Sequence, residues 1–218
     1  NRARQRDRDA LPRRGAIQQP LPALLPDESR SPMSQNTVPK RAAAPRDRES
    51  EQLRILAALL AHPAEDALDA LRDLLPQASW LADCLAELEE VTLERWQGEH
   101  TRLFLNGWPA TVCPPFESAY RQGQMGGTSA AALASLYRRA GLQADGAPPD
   151  YLGTMLECAA WLAEQEDGGE LLRELQDDHL GRWVPRFARN LRDRSELLLY
   201  RTLGGRIARI FPETEGHD

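Results

Sequence analysis

The chain has 218 residues, 41% hydrophobic and 28% charged, with a formal net charge of −6. These values suit one soluble domain, or one domain with a tail. No stretch approaches the roughly 20 apolar residues of a membrane helix, and no apolar run near the start resembles a secretory signal.

Cys84, Cys113 and Cys158 form an odd, sparse set with no zinc spacing beside the four histidines. They predict a reducing compartment, no disulfide framework and no metal site. Charge is unevenly spread. Residues 1–48 hold 11 Lys+Arg against 5 Asp+Glu, and 49–218 hold 16 against 28, so a tail of +6 precedes a body of −12. The body's field repels nucleic acid and attracts cationic ligands.

Residues 1–48 carry seven of the sixteen prolines and show no helical period, so a disordered tail is expected there. Met33 opens a plausible natural start, and residues 1–32 are expected to be an upstream extension. The Arg13-Arg14 pair has no apolar run after it and reads as solvated basic tail. A helical body is expected over 49–213, with 214–218 as a short tail.

From Ser50 the period turns helical. Leu53, Leu56, Leu59 and Leu60 predict a helix stopped by Pro63, and Leu68, Leu71, Leu74 and Leu75 one stopped by Pro76. Ser79 is expected to cap a third helix through Leu81, Leu85 and Leu88. Thr92 should cap a fourth, with Leu93, Trp96, His100 and Leu103 on one face. A loop follows from Gly107 to about Pro115, then a short helix over Glu117–Gln124, broken at Gly126-Gly127. Thr128 opens a helix ended by Gly141.

Asp150, after Pro148-Pro149, is the expected start of a helix whose buried stripe is Tyr151, Met155, Cys158 and Leu162. Further helices are expected after Gly168-Gly169, over His179–Leu191 and over Leu197–Ile210. No segment shows sustained β alternation and no repeat is visible. The prediction is an all-α, single-domain bundle of eight to ten helices.

Signatures of chemistry are absent. There is no phosphate loop, and the single lysine, Lys40, lies in the tail. There is no nucleophile elbow and no zinc-protease motif. Cys113 precedes two prolines, away from any helix start that would lower its pKa, and reads as structural. No cofactor is expected.

Two constellations have binding logic instead. The loop Cys113-Pro114-Pro115-Phe116-Glu117-Ser118-Ala119-Tyr120 is rigid and apolar, edged by a carboxylate. Its Phe116 and Tyr120 either face a ligand or plug the core. Asp150, Thr154, Glu157 and Trp161 recur at helical spacing, which would put two carboxylates and an indole on one face suited to a guanidinium. The plainer alternative is a capping Asp150 with a solvated or locally paired Glu157. His100, between Trp96 and Leu103, reads as a packing histidine.

These residues resemble a family. Leu103-Phe104 after His100, then Pro114-Pro115-Phe116-Glu117-Ser118-Ala119-Tyr120, is similar to its helix end and Pro-Pro-aromatic segment. Tyr137 to Leu142, then Pro149-Asp150-Tyr151-Leu152-Gly153 with Glu157, resembles its second signature. His179 to Phe187 resembles its third, and Tyr200 sits where its last helix carries a tyrosine. Together they span about residues 50–212 in consistent order.

The family is the TorD/DmsD/NarJ group of redox-enzyme maturation chaperones. The resemblance implies a cytoplasmic, non-catalytic, all-α protein, monomeric or a domain-swapped dimer. It would bind an apo molybdoenzyme catalytic subunit and its twin-arginine leader, and assist molybdopterin insertion and proofreading before export. It implies a peptide site at His100, Leu103, Phe104, Pro115, Phe116, Asp150 and Tyr151, to which the loop and acid face add Pro114, Glu117, Ser118, Tyr120 and Glu157. His100 replaces a larger aromatic of some relatives, and Tyr151 replaces a frequent histidine. The alternatives are a general helical scaffold or regulator, and a helical enzyme.

Overall fold

The computed structural model describes residues 25–26, 45–107, 110–144 and 146–213. The expected tails 1–48 and 214–218, and the question of a start at Met33, lie outside them apart from Leu25–Pro26 and residues 45–48. The described residues form a helical bundle, as the apolar periodicity requires.

The first helix, α1 (Pro45–Ala58), begins ahead of Ser50 and ends before Pro63. α2 is Ala67–Leu74 and α3 is Ala82–Glu89. Ser79 does not cap α3; it opens a 3-10 turn, Ser79–Leu81, that runs into it. α4 (Leu93–His100) is capped as predicted, the Thr92 hydroxyl accepting from Arg95 N at 3.3 Å. A π-helical turn, Thr101–Leu105, prolongs α4 and carries Leu103 and Phe104 into the core.

The short α5 spans Glu117–Arg121, and α6 spans Thr128–Arg139. Gly126 and Gly127, both at φ +82, make the break between them, a backbone that side chains disfavour. A two-residue antiparallel pair joins β1 (Leu25–Pro26) to β2 (Leu142–Gln143).

α7 (Leu152–Glu164) is the central post. It is buried almost all round, because Met155, Leu156, Cys158, Ala159, Ala160 and Leu162 leave it no wide polar face. α1 lies along it. Arg54 grips Glu164 with its Nη1 and Nη2, at 2.5 and 2.8 Å, and Ser50 donates to the same carboxylate at 2.8 Å.

α8 (Gly169–Glu174) leads through a second π-helical turn, Leu175–Leu180, into α9 (Gly181–Arg194). α9 and α10 (Leu198–Ile210) then form a helical hairpin. Their contact depends on Gly204: a Cβ there would stand 2.7 Å from both Ala188 O and Arg192 N. Backbone atoms cannot yield, so only glycine lets the two helices approach this closely. α10 is tied to α4 by Trp96, whose indole N–H donates to the Tyr200 hydroxyl at 3.0 Å.

Candidate functional site

The Pro-Pro-Phe loop and the residues before α7 are stitched together. Leu152 N donates to Pro115 O at 2.9 Å and Glu117 N to Asp150 O at 3.0 Å, making an antiparallel bridge between Phe116 and Tyr151. Proline favours this arrangement, since Pro114 and Pro115 need no amide partner and stiffen the segment. Phe116 and Tyr151 stay half-buried, their rings 5.6 Å apart. The Tyr137 hydroxyl fixes the incoming Pro-Pro turn by donating to Pro149 O at 2.6 Å.

Tyr151 in turn reaches the end of α1. Its hydroxyl donates to Leu60 O at 3.1 Å, and His100 Nε2 lies 3.2 Å from the same oxygen. Gly153 leaves room for this pose, since a Cβ there would meet Tyr151 Cε1 at 2.5 Å. His100 is buried between the exposed His62 ring, 5.0 Å away, and Phe104, 4.9 Å away. Burial lowers its pKa to about 4, so it is a neutral donor to Leu60 at working pH.

The seam that reaches the surface is therefore Pro114, Phe116 and Tyr151 with His62. It is aromatic, and it is held by the backbone bonds of the bridge together with the Tyr151 hydroxyl on Leu60 O. His100, Leu103 and Phe104, expected in a peptide groove, instead lie beneath it: Leu103 is fully buried and Phe104 nearly so. His100 faces the core from the end of α4, and the π-helical turn turns Leu103 and Phe104 the same way. They support the seam from below.

The predicted acid face does not form. α7 starts at Leu152, with Tyr151 at its N-cap, so Asp150 lies outside the helix. Asp150 is fully buried and turned back to α5, where its Oδ2 accepts from Ser118 N at 3.1 Å. It is the capping residue of the plainer alternative, though of a different helix. Thr154 is buried as well. Glu157 is half-buried and lies near α1, where Arg54, held charged first by its bond to Glu164, also feels Glu157. Trp161 is half-buried further along α7.

Glu117 is fully buried too. Its carboxylate accepts from Arg121 Nη1 at 2.5 Å and pairs with His179 Nδ1 at 2.9 Å. Burial pushes this carboxyl up, but the His179 and Arg121 contacts outweigh it and hold it below the ordinary glutamate range. Ser118 is buried, its hydroxyl accepting from Gly126 N at 2.9 Å. Tyr120 faces away from the seam, against Trp183 at 5.1 Å, with Arg186 over its ring at 4.7 Å.

Sequence reasoning missed the pairing of Glu117 with His179, 62 positions apart, because nothing local announces it. It also missed Leu60 O as a shared acceptor, which no side-chain motif can show. All three cysteines are buried, and burial pushes Cys113 and Cys158 up to about 12. No metal-ligand cluster occurs among the described residues.

A family model described as nitrate reductase delta subunit matches residues 53–189. The Tat proofreading chaperone DmsD of Salmonella typhi is 31% identical over 185 residues, covering 76% of this chain and 87% of that protein. Its counterpart in Salmonella typhimurium is 30% identical with the same coverage. A crystal structure of a candidate redox enzyme maturation protein from Archaeoglobus fulgidus has a TM-score of 0.58 at 24% identity, covering 80% of this chain and 98% of that one, which shows the shared fold.

Proposed function

Because the chain belongs to the nitrate reductase delta subunit family, the TorD/DmsD/NarJ group, we propose that its aromatic seam captures the twin-arginine leader of a molybdoenzyme catalytic subunit. The protein is a molybdoenzyme maturation chaperone. It holds the subunit in the cytoplasm until molybdopterin is inserted, and it catalyses no reaction of its own. No helix among the described residues is long and apolar enough to cross a membrane.

The observation that carries this reading is the Phe116–Tyr151 bridge. It offers half-exposed rings on a stiff backbone at the meeting point of α1, α5 and α7. An apolar leader segment lies on such rings at low entropic cost to the host, and the leader orders on contact. The guanidinium groups are drawn by the −12 body and not by Asp150 or Glu117, whose carboxylates are fully buried. Glu65 and Asp66, exposed in the α1–α2 loop just after His62, are the carboxylates nearest in sequence to the seam's α1 edge.

Affinity purification of the full chain from its native host tests this, with cofactor content of the captured subunit measured beside a deletion strain. The expected result is a molybdopterin-dependent subunit on the chaperone and cofactor-poor subunit in the deletion strain. A fully loaded, active subunit in the deletion strain would point to a general scaffold instead. Turnover lost with a seam substitution would point to an enzyme.

A further inference from the structure

We infer that the solvent face of α9 is a second docking surface, of opposite sign to the rest of the body, and that it takes an acidic segment of the mature client subunit. Residues 181–210 carry eight arginines against two acids, while the remainder of 49–218 carries eight against 26. Half the folded part's positive charge is thus on one helical hairpin. On α9 it is ordered: Arg182, Arg186 and Arg189 recur at helical spacing on one face, with Arg192 beside them, and all four are exposed.

Local partners answer this charge only in part. Arg182 faces Asp178 at a loose 3.7 Å, and Arg192 binds Asp193 at 2.8 Å. Arg186 makes no ion pair among the described residues and rests on the Tyr120 ring at 4.7 Å. Arg189 shows what the ridge accepts. Its guanidinium holds the carboxylate of Glu213, at 2.5 Å, from the chain that leaves α10. A glutamate in a non-helical segment already lies on the ridge in the manner an acidic partner would.

The N-terminal end of the ridge opens on a cleft of about 600 Å3 lined by Arg121, Arg182, His179, Thr128 and Ser129, with Asp178 as its one acid. The body's negative field disfavours an extended polyanion such as nucleic acid or an anionic bilayer, while a short acidic stretch touches only the ridge. Arginine, with its planar fork, suits carboxylates in pairs. That the partner is the client rests on the chaperone reading; that it is acidic rests on the ridge alone.

The test uses the full chain and a fluorescein-labelled peptide of about twelve residues alternating Glu and Ala, a length that spans the ridge whether extended or helical. Anisotropy at low salt should show binding that weakens at least tenfold in R182Q/R186Q and with added salt. Leader-peptide affinity and the thermal midpoint should hold. If that pair lowers the midpoint, R189Q/R192Q reads the same ridge.

Absence of binding by the parent protein, or equal binding by the variants, overturns the inference. So does tighter binding of phosphatidylglycerol vesicles or an RNA oligonucleotide through the same arginines. Failure of the parent to bind a leader, with the acidic peptide still bound, would instead sink the seam reading alone.

Discussion

Glu117→Ala lowers the unfolding free energy by about 3–5 kcal/mol, the usual cost of removing one partner from a buried ion pair. The carboxylate is fully buried and holds His179 and Arg121 at once. Without it the His179 ring faces a hole, and Arg121 keeps only the Asp178 carbonyl at 3.0 Å. Small domains hold about 5–15 kcal/mol in total, so urea titration should show a marked fall in midpoint. Glu117→Gln, which keeps the shape and some hydrogen bonds, should lose less.

The pH profile carries the same signature. The folded Glu117 pKa is depressed, so its contribution is present above the unfolded carboxylate value, about 4.3, and is lost as pH falls through the folded value. His100 acts in an earlier window: its folded pKa, about 4, lies below the ordinary 6.5, so stability already falls between those two values as the unfolded chain gains a proton. In Glu117→Gln only the lower window should flatten.

Phe116→Ala weakens leader binding at least tenfold, and it does so with little loss of stability. The ring is half-buried and packs on Tyr151 at the surface, not in the core. Truncating an aromatic anchor typically costs 2 kcal/mol or more in a peptide interface, and about 1.4 kcal/mol is tenfold. Titration calorimetry with a synthetic leader reads the loss, and Phe116→Leu should recover part of it. Asp150→Ala, by contrast, uncaps α5 and would weaken binding by loosening the loop. A fall in affinity there says nothing about a carboxylate meeting an arginine.

The bundle was legible in the sequence because its helices are separated by strong punctuation. Pro76, Gly126-Gly127 and Gly141 each end or break an element close to where expected, while α1 already ends at Ala58, short of Pro63. Thr92 caps α4 because its hydroxyl needs only local geometry. The site was half legible. The Pro-Pro-Phe loop and Tyr151 are brought together, but Glu117 and Asp150, read beside them, are inside.

Helical spacing from Asp150 assumed that α7 begins there. The bridge to Phe116 holds Tyr151 extended, at ψ 131, and delays the helix to Leu152. That competition between a helix start and a strand-like pairing is decided by a segment 35 positions earlier. Likewise, Glu117 read as the edge of an exposed loop until His179 arrived from the far end of the chain.

The most direct test of the seam is hydrogen–deuterium exchange on the full chain with and without a twin-arginine leader peptide. Slower exchange is predicted at the end of α1, across residues 110–118 and around Tyr151–Gly153, with the exposed face of α9 unchanged. Protection confined to α9 and α10, with the Phe116–Tyr151 bridge exchanging as in the free protein, would contradict the account.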